Sequence, residues 1–167
     1  STSSPRRPVR SHTCGELRAS DIGKEVTLCG WVAKRRDHGG LIFADLRDRY
    51  GVTQVTFDPA IGGSADPKAL LEIAGKIRNE FVLMVKGKVR ARPQGMTNTK
   101  LATGEIEIIA SELSILSEAK TPPFVIGSAL DEAPDAAENL RLKYRYLDLR
   151  RPALQKNLLI RHRMLSI

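Results

Sequence analysis

An aromatic ring and an amide fall on the polar faces of two predicted strands, where together they could bind a nucleobase. In the segment LIFADLR, alternation puts Phe43 on the same face as Asp45 and Arg47. In VTQVTFD, Gln54 lies near Phe43 if the two strands pair through the intervening Asp-Arg-Tyr-Gly turn. A base can stack on such a ring while the amide hydrogen-bonds its edge. The alternative is that Phe43 is an exposed cross-strand partner in an ordinary sheet.

Positive charge accompanies this pair of residues. Lys34, Arg35 and Arg36 close the strand that precedes Phe43. The later segment VKGKVRAR places four cations at period two on one strand face, namely Lys86, Lys88, Arg90 and Arg92. Because aligned cations repel one another, this spacing predicts an anion lying across them.

The elements that would position these residues are three strands, a helix and two strands. Asp66 is a good N-cap and Pro67 suits the first helical position, while apolar residues follow at helical spacing. The predicted strands are Glu25–Arg36, Leu41–Arg47, Val52–Asp58, Phe81–Arg92 and Glu105 to about Leu116, with the helix from Asp66 to about Arg78. This order is that of the OB-fold, a mainly β, five-stranded barrel with one helix. Trp31 is predicted to pack inside it.

Length and composition narrow the class of protein. The chain has 167 residues, of which 41% are hydrophobic, and no apolar stretch approaches the roughly 20 residues that span a bilayer. Residues 1–12 contain no apolar core of a signal peptide, so we expect a cytoplasmic chain without membrane contact. Cys14 and Cys29 lack metal-ligand spacing and the three histidines are scattered, so no metal site is predicted.

The net charge of +8 is distributed unevenly. Residues 1–13 carry +3 and residues 141–167 carry +7, whereas the residues between them carry −2. The central cations are therefore concentrated on particular strands, which favours placed phosphate contacts over general attraction to polyanions.

Composition also divides the chain into four parts. We predict a flexible N-terminal arm at 1–13, the OB-fold domain at 14–120, a hinge at 121–151 and a truncated helix at 152–167. The last helix opens at Pro152 and reaches Ile167 without a stop signal or a partner core. The chain is therefore predicted to be a fragment that ends inside a second domain.

Four blocks of sequence resemble one known family, in the order that the family has. They are residues 14–59, KIRNEFVLMVKGKVRAR, LATGEIEI and LRLKYRYLDLRRP. Together they resemble the N-terminal part of a bacterial-type aspartyl-tRNA synthetase from about residue 12 onward. The resemblance implies an anticodon-binding OB-fold, a hinge and the start of a class II catalytic domain. ATP, magnesium and aspartate would bind the remainder of that domain in the full-length parent, so the fragment is expected to hold no catalytic residue and no cofactor.

The resemblance also assigns roles to single residues. Phe43 matches the ring that stacks on the middle anticodon base, while Arg36 and Gln54 match groups that hydrogen-bond this base. Four further residues match contacts to the flanking bases or their phosphates, and they are Arg90, Arg92, Asn98 and Glu107. Glutamate at such a position could accept from a guanine edge. Each of these four could instead be a solvated charge or polar group of the barrel, or part of a structural ion pair.

Two loop residues bear on the choice of tRNA. Aspartate-only members of the family tend to carry Leu at the position of His38 and Lys at that of Gly95. Their replacement by His and Gly resembles a relaxed enzyme that accepts tRNA-Asn as well as tRNA-Asp, which implies a tRNA-dependent amidotransferase in the same cell. The other interpretation is that His38 fits a turn and Gly95 a positive-φ position.

The predicted function is thus tRNA anticodon recognition within an aspartate–tRNA ligase, whose full-length form is expected to dimerise through its catalytic domain. Two alternatives of other classes stay open. The first is a stand-alone OB-fold module for single-stranded nucleic acid, and the second is a protein-interaction module anchored by Phe43.

Overall fold

The computed structural model describes residues 9–127 and 136–166. It divides into two compact units, Ser1–Ala119 and Lys120–Ile167. Parts of the predicted arm, hinge and last helix, namely residues 1–8, 128–135 and 167, lie outside the described residues. Ser11, in the predicted arm, is hydrogen-bonded to the first unit, since its backbone N–H donates to the carbonyl oxygen of Thr27 at 2.9 Å.

Five strands and one helix form the first unit in the predicted order. The strands are β1 (Glu25–His38), β2 (Leu41–Arg47), β3 (Val52–Phe57), β4 (Val82–Ala91) and β5 (Ile106–Ser117), and helix α1 (Pro67–Lys76) lies between β3 and β4. They close into a barrel in the order β1-β2-β3-β5-β4. All pairs are antiparallel except β3 with β5, which is parallel. The predicted OB-fold is therefore confirmed.

Strand alternation determines which side chains fill the barrel. Ile42, Ala44 and Leu46 point into the core, and Phe43 falls on the opposite, outer face, as predicted. A two-residue turn joins β1 to β2, with φ angles of +63° at Gly39 and +96° at Gly40. Consecutive positive φ angles are typical of tight hairpins, and this turn lets β1 run two residues past its predicted end.

Helix α1 joins the same core. The Asp66 carboxylate caps it by accepting from the backbone N–H of Ala69 at 3.0 Å, and Pro67 begins the helix, as predicted. Leu70 and Ala74 are buried against barrel residues. The apolar face that the sequence indicated is thus the face that packs.

The prediction that Trp31 packs inside the barrel is wrong. Val26, Leu28 and Val32 are at most 1% exposed and face inward, whereas Trp31 occupies an alternate position and is half-buried on the outer side. The sequence argument relied on apolar neighbours. In a strand, however, the parity of the position decides the face.

The second unit consists of short helices. They are α2 (Glu138–Lys143), α3 (Arg145–Asp148) and α4 (Pro152–Leu165), the last of which begins at the predicted proline. The buried carboxylate of Asp148 accepts from Arg141 at 3.0 Å and from Arg145 at 2.9 Å. Among the helices in the described ranges, none has both the length and the apolar composition that a membrane crossing requires.

Candidate nucleic-acid interface

A cavity of about 580 Å³ opens on the outer face of the barrel. All seven residues predicted to bind an anticodon line it, together with His38. These residues come from all five strands and from the loop between β4 and β5, and they are Arg36, Phe43, Gln54, Arg90, Arg92, Asn98 and Glu107. The fold therefore brings the predicted residues to one place, and a cavity of this size can hold a small ligand or a base.

The ring of Phe43 lies half-buried among polar groups at this cavity. Strand register places Phe43 opposite Arg36 on β1 and opposite Thr56 on β3. The His38 imidazole and the Phe43 ring pack in a T-shaped arrangement, with 5.7 Å between centroids and an interplanar angle of 70°. A flat apolar ring at the wall of a cavity that three arginines line suits base stacking.

A chain of hydrogen bonds crosses the cavity floor beside the ring. Arg36 Nη2 donates to Asp45 Oδ1 at 2.8 Å and to Gln54 Oε1 at 3.3 Å. Gln54 Nε2 donates in turn to Glu107 Oε2 at 2.9 Å. The expectation that Gln54 lies near Phe43 is confirmed by the register, which pairs Asp45 with Gln54 two positions from the Phe43–Thr56 pair and therefore on the same face.

The carboxylate of Glu107 is the centre of this network and is only 1% exposed. Four donor atoms surround it. Arg90 contributes Nε at 2.8 Å and Nη2 at 2.7 Å to Oε1, and Thr56 Oγ1 donates to Oε2 at 2.6 Å beside Gln54. An ionised carboxylate buried in this way requires such compensation. Arg90 and Glu107 are direct cross-strand partners on β4 and β5.

Asp45 was not predicted as a site residue, although it fixes Arg36. Burial raises the pKa of its carboxyl, and the neighbouring Arg36 opposes this shift. Its Oδ2 atom is buried without a hydrogen-bond partner among the described residues. Its position two residues after Phe43, on a strand face that also holds arginines, is the sequence signal that could have identified it. Asp45 does not line the cavity itself, and the four lining residues that were not predicted are Leu41, Thr56, Pro93 and Met96.

The predicted row of cations divides into two parts. Lys86 and the exposed Lys88 lie outside the cavity lining. Lys86 forms salt bridges with Glu25 at 2.7 Å and Glu112 at 3.4 Å. Arg90 and Arg92 line the cavity, and partial burial lowers the pKa of Arg92. The anions opposite Lys86 and Arg90 are thus carboxylates of the chain itself.

Gly95 belongs to the loop between two cavity-lining residues, Pro93 and Met96, but does not line the cavity. Its φ angle is +81°, and a Cβ at this position would meet no atom within 4 Å. Backbone conformation, and not lack of space, therefore favours glycine here. This observation agrees with the positive-φ interpretation and leaves the role in tRNA choice a prediction.

Comparison with known proteins agrees with this geometry. Residues 26–116 match the tRNA anti-codon family, described as an OB-fold nucleic acid binding domain. The chain is 57% identical to the aspartate–tRNA(Asp/Asn) ligase of Desulfosudis oleivorans, over 92% of this chain and 24% of that protein. It is 55% identical to the ligase of the same name from Syntrophotalea carbinolica, over 95% of this chain and 25% of that protein.

A solved structure shows the same fold. Asparaginyl-tRNA synthetase from Pyrococcus horikoshii, complexed with asparaginyl-adenylate, aligns with a TM-score of 0.66 and 26% identity, over 84% of this chain and 29% of that chain. The chain spans about a quarter of the length of the curated relatives it matches. The resemblance to aspartyl-tRNA synthetases is confirmed, and because the family match covers more than half of the residues, the chain belongs to the tRNA anti-codon family of OB-fold nucleic acid binding domains.

Proposed function

We propose that the barrel binds the anticodon loop of tRNA, with the middle base stacked on Phe43, as the recognition domain of an aspartate–tRNA ligase. One observation carries this proposal: a single cavity joins a stacking ring, an amide of defined orientation and three arginines. Single-stranded RNA is read in this way, since its unstacked bases expose both a face and a hydrogen-bonding edge. The names of the curated relatives support the same class of substrate.

Within this proposal the cavity residues have separate tasks. Arg36 and Gln54 hydrogen-bond the base that Phe43 stacks, because their side chains adjoin the ring. Arg92 and Asn98 contact the flanking bases or phosphates from the rim. Arginine suits this task because its planar guanidinium offers several donors and keeps its charge.

The full-length protein would be a cytoplasmic homodimer that uses ATP and magnesium to attach aspartate to tRNA. We also propose that it accepts tRNA-Asn, because both relatives carry Asp and Asn in their names and because His38 lines the cavity. The ring nitrogens of His38 can donate or accept, so this residue need not reject either cytosine or uracil as third base. A tRNA-dependent amidotransferase would then convert the misacylated aspartyl-tRNA.

Binding of the chain to RNA hairpins tests the proposal. Loops that carry GUC and GUU should bind within about threefold of each other, whereas a GAC loop should bind at least about tenfold more weakly, a difference of 1.4 kcal/mol. Calorimetry at one fixed salt concentration measures all three. Equal binding of every loop would favour a general single-strand module, and absence of RNA binding would favour a protein-interaction module.

Salt dependence distinguishes phosphate contacts from structural charges. We expect Arg92→Ala to flatten the slope of log affinity against log salt by about 0.7 if this residue meets one phosphate. Lys86→Ala is the matched control from the same predicted row of cations, since Glu25 and Glu112 already pair this lysine outside the cavity lining. Titrations at four or more salt concentrations give the slopes. Equal slopes for the parent and Arg92→Ala would contradict a phosphate contact.

A further inference from the structure

The amide of Gln54 is held in one orientation by neighbours on two sides. Arg36 has only donors, so its Nη2 must face the amide oxygen, which lies at 3.3 Å. The carboxylate of Glu107 has only acceptors, so it must face the amide nitrogen, which lies at 2.9 Å. The oxygen and nitrogen of an amide are often interchangeable in a structure. Here the chemistry of both partners excludes the flipped form.

A fixed amide can distinguish uracil from cytosine. Beyond its two bonds, Gln54 retains one N–H and one oxygen lone pair for a ligand. At ring positions 4 and 3, uracil presents the acceptor O4 and the donor N3–H. Cytosine presents the N4 amino donor and the acceptor N3 at the same positions. A donor and an acceptor in a fixed order therefore complement one of these bases, and an amide free to flip complements both.

Glu107 has no acceptor position left for a base of its own. Its two oxygens already meet four donor atoms, and the residue is 1% exposed. A guanine edge could bind it only after Arg90, Gln54 or Thr56 had left. The same burial makes the residue an effective anchor, because breaking a hydrogen bond to a buried carboxylate leaves that carboxylate less well satisfied.

We propose that Glu107 is a positioning residue that selects uracil over cytosine at the base stacked on Phe43, without touching that base. This inference rests on the proposed function and deepens it. Glu107 sets the direction of Gln54, and Gln54 reads the base. The residue that sets the discrimination, Glu107, then lies on β5, whereas Gln54, which contacts the base, lies on the neighbouring strand β3.

The decisive variant is Glu107→Gln. The oxygen of the new amide must face Arg90, which has only donors, so its NH₂ group faces Gln54. An NH₂ group cannot accept from the Gln54 amide nitrogen, so this contact no longer fixes the orientation of Gln54. We expect the parent to prefer a GUC over a GCC hairpin by at least about tenfold, as a bidentate contact provides. In Glu107→Gln the ratio should fall to within about threefold while the GUC hairpin still binds.

Glu112→Gln is the matched control, because it makes the same substitution on β5 at a carboxylate that pairs with Lys86 outside the cavity lining. The variant should keep the parent's preference for uracil. If Glu107→Gln keeps that preference and instead changes the choice at a flanking base, Glu107 reads a base directly and the inference is wrong. A parent that separates GUC from GAC but not from GCC would overturn this inference alone, whereas equal binding of all loops would overturn the proposed function as well.

A measurement on the parent does not depend on the folding of any variant. Side-chain NMR of the free chain should show one Gln54 Nε2 proton that exchanges slowly with solvent, because it is donated to a buried carboxylate. Rapid exchange of both protons would show that the amide is free to turn, which contradicts the inference.

Discussion

Replacement of Phe43 by alanine is expected to weaken binding of a GUC hairpin by about 1–3 kcal/mol, which is the contribution of stacking one base on an aromatic ring. The ring lines the cavity beside Gln54, so its loss removes the surface on which the base lies. Phe43→Tyr should bind nearly as the parent does, because it keeps the ring. Calorimetry at fixed salt gives both affinities.

Tyr50→Ala provides the control for loss of an aromatic residue. This tyrosine is 53% exposed in the β2–β3 turn, and its ring is contacted by Arg10 and Arg49 at 5.5 and 4.9 Å to the centroid. It does not line the cavity, so its removal should leave hairpin affinity unchanged. A melting curve for Phe43→Ala verifies that the barrel is folded. If Phe43→Ala binds as tightly as the parent, Phe43 is a cross-strand partner and not a stacking platform.

Local pattern was sufficient to predict the strands and the helix. Period-two alternation in β2 and β3 determines the faces of Phe43 and Gln54, and the Asp66–Pro67 pair marks the start of α1. These signals depend on residues adjacent in the chain. Trp31 shows their limit, since its apolar surroundings pointed to the core while the parity of β1 placed it outside.

The network beneath the cavity could not be predicted in the same way. Glu107 meets Gln54 because β3 and β5 pair in parallel, and the register of two strands that are distant in sequence is set by the closure of the whole barrel. The same holds for Lys86, whose two glutamate partners come from β1 and β5. Sequence spacing identified which cations share a face, but only the fold shows which of them are already neutralised.

The other large effect is expected away from the cavity, at a buried ion pair. Arg47 Nη2 donates to both carboxylate oxygens of Glu80, at 2.7 and 2.9 Å, and each residue is 8% exposed. Removal of Glu80 takes away a carboxylate that compensates the buried charge of Arg47 in a region of low dielectric. Glu80→Ala should therefore lower the free energy of unfolding by about 3–5 kcal/mol. Urea denaturation of parent and variant measures this difference.

Backbone strain does not account for this expected loss. Glu80 has a φ angle of +67°, which is unfavourable for alanine and glutamate alike, so the strain cancels between parent and variant. Glu72→Ala serves as the control, because Glu72 and Lys76 form an exposed pair at 3.1 Å on α1 and should contribute less than about 1 kcal/mol. The double variant Arg47→Met/Glu80→Leu should recover most of the stability, since apolar residues of similar volume remove both buried charges. A loss below about 1 kcal/mol in Glu80→Ala would mean that the buried charge of Arg47 does not depend on Glu80 for its compensation.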